Sequence, residues 1–175
     1  MRRLSHLVSS ALVVTIGVTG LVAQVHAADT AANSDKTAIE ALEKRFADAF
    51  NAKDLDAVMK VYAPGRTLFV FDVGPPRQHV GWQDYKADWQ QLLASFPGPI
   101  TFSVSDLSIT TAGSVAYGHS IQTLHSTRPN GSKFELVVRV TDVYQKIHGE
   151  WLIVQEHVSV PVDLDSGKAD LLSKP

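Results

Sequence analysis

Residues 133–160, KFELVVRVTDVYQKIHGEWLIVQEHVSV, decide the fold of this chain. Valine, isoleucine, leucine, tyrosine and tryptophan fill the stretch, and these residue types favour strands. The pattern therefore predicts two long β-strands joined by a tight turn at residues 147–149. Polar side chains interrupt the apolar pattern at its centre: Arg139, Thr141, Asp142, Gln155, Glu156 and His157. Strands that only build a core do not need such a centre, so the pattern indicates a functional surface.

Two turns are compatible with this hairpin, and they predict different registers. A three-residue loop with Gly149 in the left-handed conformation, which we favour, places Arg139 opposite His157. A two-residue turn of His148 and Gly149 shifts the register by one residue and sends Arg139 and His157 to opposite faces. The favoured register predicts one polar face within an apolar frame, as a ligand cavity would have. It leaves a second face for packing or dimerisation, with Val138, Val140, Tyr144, Leu152 and Val154.

Length and composition limit the classes of protein that this chain can be. Its 175 residues suit one domain plus an extension, and a hydrophobic content of 45% allows a sizeable core. The chain has no cysteine, which excludes disulfides, thiol nucleophiles and thiolate metal sites. The formal net charge of -2 gives no reason to expect a nucleic-acid partner.

The first 27 residues have the features of a secretory signal peptide. Arg2 and Arg3 precede an apolar run over residues 7–25, and small residues at 25 and 27 favour cleavage after Ala27. The alternative is a retained membrane anchor, although serine, threonine and glycine interrupt the run. The sequence therefore predicts export to a periplasm or the exterior, with no membrane association after cleavage.

The rest of the chain is predicted as a flexible leader (28–35), one domain (36–160) and a C-terminal tail (161–175). Helical spacing of apolar residues predicts three helices, and apolar runs bounded by glycine and proline predict five strands. Helices are expected at 36–51, 54–62 and 81–96, and strands at 67–72, 100–111, 114–126 and in the hairpin. This α+β order predicts three helices packed on a strongly curved, mostly antiparallel sheet, with a cone-shaped cavity between them.

Asp72 and His157 are the candidate catalytic residues. Asp72 follows two phenylalanines, and an apolar cavity would raise its pKa and make it a better general base. The alternative role for Asp72 is to cap the turn at Gly74 and Pro75. His157 suits a general acid or base, or a core histidine bonded to a neighbour. Arg139 needs either Asp72 as an internal partner or an anionic ligand.

An aromatic stripe and two further polar residues complete the predicted site. Trp82, Tyr85 and Trp89 recur on one side of the third helix and are interpreted as core residues that also form a cavity wall. His119 and Gln155 are the further substrate-binding candidates. The histidines show no metal-ligand spacing, so neither a metal nor a cofactor is expected.

Three segments resemble the SnoaL-like, ketosteroid-isomerase-like branch of the nuclear transport factor 2-like superfamily. They are FADAFNAKDLDAVMKVYAP (46–64), DVGPPRQHVGWQDY (72–85) and RVTDVYQKIHGEWLIVQEHVS (139–159). The resemblance covers about residues 37–160 and implies the cone-shaped fold of that superfamily. It is weak for activity, because the superfamily includes isomerases, cyclases, dehydratases, binding modules and association domains.

The resemblance also implies roles for individual residues. In ketosteroid isomerases an aspartate at the end of the first strand moves the substrate proton, and Asp72 matches that place if two extra residues are allowed before it. A tyrosine of the first helix stabilises the enolate, and Phe46 stands in its place without a donor. Asp142 lies near the place of a second, protonated acid, which the favoured register turns away from Arg139 and His157.

The sequence therefore predicts an exported protein that binds a small, largely apolar molecule bearing a carbonyl or a carboxylate. It leaves open whether the protein is an enzyme, which would then use acid–base chemistry of the isomerase or lyase type. The alternatives are a non-catalytic ligand-binding module and an association domain that forms a homodimer through the sheet.

Overall fold

The computed structural model describes residues 19–173, with side chains from Thr30 onward. Three helices precede the long strands: α1 (Thr19–Ala52), α2 (Leu55–Met59) and α3 (Trp82–Ser95). Asp54 caps α2 by accepting a hydrogen bond from the backbone N–H of Ala57, which confirms the predicted start of that helix. The α+β class and the cone-shaped architecture predicted from the sequence are confirmed.

Six strands form one curved sheet in the order β2-β1-β6-β5-β4-β3. Neighbouring strands are antiparallel except for β1 and β6, which run parallel. The strands are β1 (Phe69–Phe71), β2 (His79–Val80), β3 (Thr101–Ala112), β4 (Val115–Thr127), β5 (Lys133–Ile147) and β6 (Glu150–Ser159). The short β2 was predicted as loop, because two residues are too few for a detectable alternation. Its pairing with β1 fixes the position of His79.

Residues 28–35, predicted as a flexible leader, are helical and continue α1. Asp35 lies within α1, and its carboxylate accepts hydrogen bonds from Lys146 and Trp151 of the hairpin. Most of the predicted signal peptide, residues 1–18, lies outside the described part of the chain, so the cleavage after Ala27 stays a prediction. None of the described helices is long and apolar enough to cross a membrane.

The β5–β6 hairpin has the two-residue turn, so the favoured three-residue loop is wrong. His148 and Gly149 adopt φ values of 51° and 89°, as a turn with two left-handed residues requires. Ile147 consequently pairs with Glu150. A bulge then leaves Val154 without a cross-strand partner, because Tyr144 pairs with Ile153 while the preceding β5 residue pairs with Gln155. Beyond the bulge, Arg139 faces Ser159 and Thr141 faces His157.

The two-residue turn and the bulge together leave Arg139 and His157 on one face of the sheet, but that face is the outer one. Both side chains are exposed, whereas Val138 and Val140 of the opposite face are buried. The burial of apolar surface explains this choice, since the valines gain by leaving water and the charged residues do not. Of the predicted dimer face, Val138, Val140 and Tyr144 are buried on the inner surface of the cone and are not available for a dimer interface, while Leu152 and Val154 are half-buried. A homodimer through another part of the sheet stays a prediction.

The core lies between α1, α3 and the concave side of the sheet. Aromatic rings dominate it, with Phe46 of α1 in edge-on contact with Tyr62, Trp89 and Phe102 at centroid distances of 5.5–6.2 Å. The C-terminal tail contacts β5, where the backbone N–H of Val137 donates to the carbonyl of Leu171. The core encloses a cavity that residues of α1, α3 and the sheet line together.

Candidate active site in the cone

A cavity of about 270 Å³ lies between α1, α3 and the inner face of the sheet. Its wall is largely aliphatic and aromatic, as a site for a small organic molecule commonly is. The apolar wall includes Phe46, Phe50, Trp89, Leu92, Phe102, Leu124, Phe134, Leu136, Val138 and Val158. The ionisable lining residues are Asp72, His79, Tyr85, Asp88 and Glu156. Among the side chains that the structure describes, acids therefore outnumber bases in the wall, and neither lysine nor arginine lines the cavity.

Asp72 lies directly after β1 and belongs to the cavity wall. Burial raises the pKa of its carboxyl, and the nearby carboxylate of Asp88 raises it further, while a hydrogen bond from the N–H of Val73 opposes both effects. The Val73 N–H donates to Asp72 Oδ1 over 2.5 Å. The carboxyl thus caps the following turn and also lines the cavity, while its role as a base stays a prediction.

His79 on β2 is buried to 4% exposure, yet its Nδ1 has no hydrogen-bond partner within the described structure. Its Nδ1 lies 3.3 Å from Asp84 Oδ2, and its Nε2 lies 3.9 Å from Asp88 Oδ1. Asp84 is fixed in turn by the backbone N–H of Val80, which donates to it. The imidazole therefore stands between two carboxylates of α3 at the rim of the cavity.

Asp72, His79 and Asp88 form the only group of potential metal ligands found among residues 30–173. Each offers one ligand atom, and these atoms lie within 4.8 Å of one another. Two carboxylates and one imidazole suit a divalent cation, but they also suit the transfer of a proton. A chelator separates these uses in the experiment described under the proposed function.

Glu156 on β6 is a buried acid held by two tyrosines. Tyr85 donates to its Oε1 over 2.5 Å, and Tyr62 donates to its Oε2 over 3.0 Å. Burial raises the pKa of Glu156 to about 7, although the two tyrosine hydrogen bonds lower it. Asp142, its cross-strand partner, is also buried, and burial together with the charge of Glu156 raises the pKa of Asp142 well above its ordinary range.

A third buried acid extends this network away from the cavity. Tyr144 donates to Glu43 Oε1 over 2.8 Å and lies 3.5 Å from Asp142 Oδ2. Burial raises the pKa of Glu43 as well. Three acids thus share the core with three tyrosines, and no lysine or arginine is bonded to them among the described residues, so uncharged carboxyls are favoured there.

Four of the residues predicted for the site lie on the outer face of the sheet, away from the cavity. Arg139, His157, His119 and Gln155 are exposed on the outer face of the sheet. They were placed inside because the favoured register turned their face inward, and the structure turns it to water. Arg139 therefore neither pairs with Asp72 nor can receive a ligand in the cavity. The ring of His157 lies 5.5 Å from that of Phe71, measured between centroids.

The aromatic stripe of α3 is divided between the cavity and the core. Tyr85 and Trp89 line the cavity. Trp82 does not, because its indole N–H donates to the carbonyl of Met59 and Lys86 covers its ring. Phe46 forms part of the apolar wall.

Sequence reasoning missed His79, Asp88 and the inward position of Glu156. Asp88 follows Tyr85 by three residues and so falls on the aromatic stripe of α3, which was the available signal. Glu156 and Asp142 alternate with valines on the apolar face, where an acid is costly unless it has a partner. His79 gave no signal, because it lies in a segment without periodicity.

The SnoaL-like domain family model matches residues 39–163, which is most of the chain. The chain belongs to this family. The match includes all the cavity residues named above, and it agrees with the cone-shaped fold. No match is found among curated proteins.

Solved structures of the nuclear transport factor 2-like superfamily share the fold. An NTF2-like protein of unknown function from Pseudomonas putida KT2440 is 25% identical, with a TM-score of 0.73 over 82% of this chain and 98% of that one. A putative dehydratase of the NTF2-like family from Streptomyces avermitilis is 16% identical, with a TM-score of 0.64 over 73% and 96% of the two chains. A ketosteroid isomerase-like protein from Erwinia carotovora atroseptica is 18% identical, with a TM-score of 0.60 over 70% and 93%. At such identities the last two support the fold alone.

Proposed function

We propose that this protein binds one small, largely apolar molecule in the cone and moves a proton on it, with Asp72 as the base. The observation that carries the proposal is the position of Asp72, a half-buried carboxyl of raised pKa at the polar end of an apolar cavity. A raised pKa brings the basicity of a carboxylate closer to that required for abstracting a proton near neutral pH.

His79 is the second group of the proposed reaction. Its imidazole lies beside Asp72 and Asp88, so it can donate a hydrogen bond to an oxygen of the ligand or carry a proton away from Asp72. A base next to a donor is what enolisation of a carbonyl compound requires: Asp72 takes the proton from carbon while the oxygen is stabilised. Such a step would agree with the names of two proteins that share this fold, a putative dehydratase and a ketosteroid isomerase-like protein.

The charge of the cavity wall limits the polar groups that the ligand can carry. With Arg139 on the outer face and Asp72 and Asp88 in the wall, a carboxylate on the ligand would meet like charges. The carboxylate that the sequence suggested as a ligand group is therefore disfavoured, and a carbonyl or a hydroxyl remains.

The test uses 2-tetralone, a small apolar ketone with acidic protons next to its carbonyl. In D₂O, the protein is expected to accelerate exchange of these protons for deuterium, measured by proton NMR of the ketone. Asp72→Asn should reduce the exchange rate by about 100-fold or more. His157→Asn, on the outer face, is the matched control and should leave the rate unchanged. EDTA should also leave it unchanged, because the step needs no metal ion.

A non-catalytic binding module is the second candidate. The observation that favours it is the direction of the Tyr85 hydroxyl, which donates to Glu156 and not to the cavity. This candidate predicts binding of 2-tetralone without acceleration of exchange. Equal exchange rates for wild type and Asp72→Asn, with binding intact, would select it over the enzyme.

We also propose export, supported by the residues before Ala28. Mass spectrometry of the protein recovered from a periplasmic fraction is expected to give an N-terminus at Ala28. Recovery of the full-length chain from the cytoplasm would contradict this.

A further inference from the structure

One polar side chain of the cavity wall has no role in the proposed reaction. Gln122 on β4 lines the cavity, and only 7% of it is exposed. The other lining residues of β3, β4 and β5 that the structure describes are all apolar: Phe102, Leu124, Phe134, Leu136 and Val138. A single amide thus stands on an otherwise apolar part of the wall, where a polar group is costly unless it has a partner.

The hydrogen-bonding capacity of this amide is almost unused within the protein. A side-chain amide offers two N–H donors and one carbonyl acceptor with two lone pairs. Among the described residues, Gln122 makes one hydrogen bond, in which its Nε2 donates to Ser120 Oγ over 3.4 Å. That distance is longer than is usual for an N–H···O bond. The carbonyl oxygen and the second N–H of Gln122 are therefore left for a partner that none of the described residues supplies.

Gln122 lies far from the end of the cavity that holds Asp72. Asp72 directly follows β1, and the strand order β1-β6-β5-β4 places three strand spacings between β1 and β4. At about 4.8 Å per spacing, this is about 14 Å along the sheet. The cross-strand neighbours of Gln122 are Val104 and Val138, so neither adjacent strand places a charge beside it. A ligand that reaches both places therefore needs two polar groups.

From this arrangement we propose that the natural ligand carries a hydroxyl group at the end remote from its carbonyl, and that Gln122 binds this hydroxyl. The inference rests on the proposed function for the position of the carbonyl, and it adds a second polar group to the ligand. The molecule is then a hydroxyketone with an apolar body between its two oxygens.

A hydroxyl fits Gln122 better than other oxygen groups do. Gln122 Oε1 needs a donor, and a hydroxyl donates one hydrogen bond and keeps lone pairs that can accept others. An ether or a ketone oxygen only accepts, and it would leave Oε1 without a donor. A charged group would lose its hydration on this apolar wall, with no opposite charge beside it to offset the cost. A site built to hydrogen-bond a hydroxyl disfavours analogues that lack one, because its own polar groups are then left unpaired.

The experiment compares two ketones that differ only at their remote end, 6-hydroxy-2-tetralone and 6-methyl-2-tetralone. The hydroxyl and the methyl group are close in size, and both ligands keep the ketone on which Asp72 would act. Affinities are measured by isothermal titration calorimetry near pH 7, where a phenolic hydroxyl is uncharged. The hydroxy ligand is expected to bind about ten-fold more tightly, since one satisfied buried hydrogen bond is worth about that factor. Equal affinities, or tighter binding of the methyl ligand, would overturn the inference.

Two variants locate the effect. Gln122→Met nearly keeps the length of the side chain and removes its polar groups, so the hydroxy ligand should bind about ten-fold more weakly. The methyl ligand should bind at least as tightly as to wild type, which also shows that the variant is folded. Gln155→Met, at an exposed glutamine on the outer face of β6, is the matched control and should change neither affinity. An unchanged preference for the hydroxyl in Gln122→Met, or loss of both affinities, would contradict a specific contact.

The exchange measurement separates this inference from the proposed catalysis. Both ketones carry acidic protons next to their carbonyl, so their exchange in D₂O can be followed by proton NMR. A preference for the hydroxy ligand that is lost in Gln122→Met, without any exchange, would refute the proposed catalysis and leave the contact with Gln122 standing. Accelerated exchange of both ketones with equal affinities would leave the proposed function standing and overturn this inference.

Discussion

The two faces of the β5–β6 hairpin differ in whether their ionisable side chains are exposed or buried. On the outer face, Arg139 and His157 are exposed, and water solvates them. On the inner face, Asp142 and Glu156 are buried among valines and tyrosines, where burial raises the pKa of both. Charge on an outer strand face costs little and therefore says little about function. Acids retained inside at a cost are the better indication of a site.

The largest effect that this comparison of the two faces predicts is on the free energy of unfolding. Ile153→Ala on the inner face removes a side chain of 1% exposure, and the cavity it leaves should lower the free energy of unfolding by about 2–5 kcal/mol. Gln155→Ala, two residues further along the same strand and exposed, should change it by less than about 0.5 kcal/mol. Urea denaturation of both variants measures the difference. Equal losses would show that the assignment of the two faces is wrong.

A smaller effect concerns the dependence of stability on pH. The pKa of Glu156 rises from an ordinary value of 4.5 to about 7 in the folded protein, so the folded state holds this proton more tightly than the unfolded chain. The contribution of Glu156 to the free energy of unfolding is therefore full below the ordinary pKa. It is lost as the pH rises through the folded pKa.

Glu156→Gln removes this component. The unfolding free energy of wild type falls between about pH 4.5 and pH 7, and in the variant this fall should be smaller by up to about 3 kcal/mol. Asp72, Glu43 and Asp142 have raised pKa values too, so they keep part of the slope in the variant. Glu150→Gln, at the exposed hairpin turn, is the control and should follow wild type. Parallel curves for wild type and Glu156→Gln would argue against an uncharged Glu156.

The smallest effect is expected on the outer face. Arg139→Ala should change the free energy of unfolding by less than about 0.5 kcal/mol, because its guanidinium is exposed. It should also leave the affinity for 2-tetralone, measured by isothermal titration calorimetry, unaltered. A ten-fold loss of affinity would show that Arg139 contributes to the binding site.

Much of this fold could be predicted from sequence, because periodicity and turn residues report on local structure. The helical spacing around Phe46 and the aspartate cap of α2 are examples, since each depends on residues a few positions apart. Asp72 could also be predicted as a cavity residue, from its place after an apolar strand.

The register of the hairpin could not be predicted, because it depends on two local details that the alternation does not encode. His148 adopts a positive φ although it is not glycine, and the bulge at Val154 adds one unpaired residue. The direction of the faces then decides which polar residues form the site. His79 could not be found in this way, since only the pairing of β2 with β1 brings it to the cavity rim.

The most direct test of the account is the location of 2-tetralone on the protein, determined from intermolecular nuclear Overhauser effects. The account predicts contacts from the ketone to the rings of Phe46 and Trp89, which line the cavity. Contacts to Tyr117 or His119 on the outer face of β4, without any to Phe46 or Trp89, would contradict it.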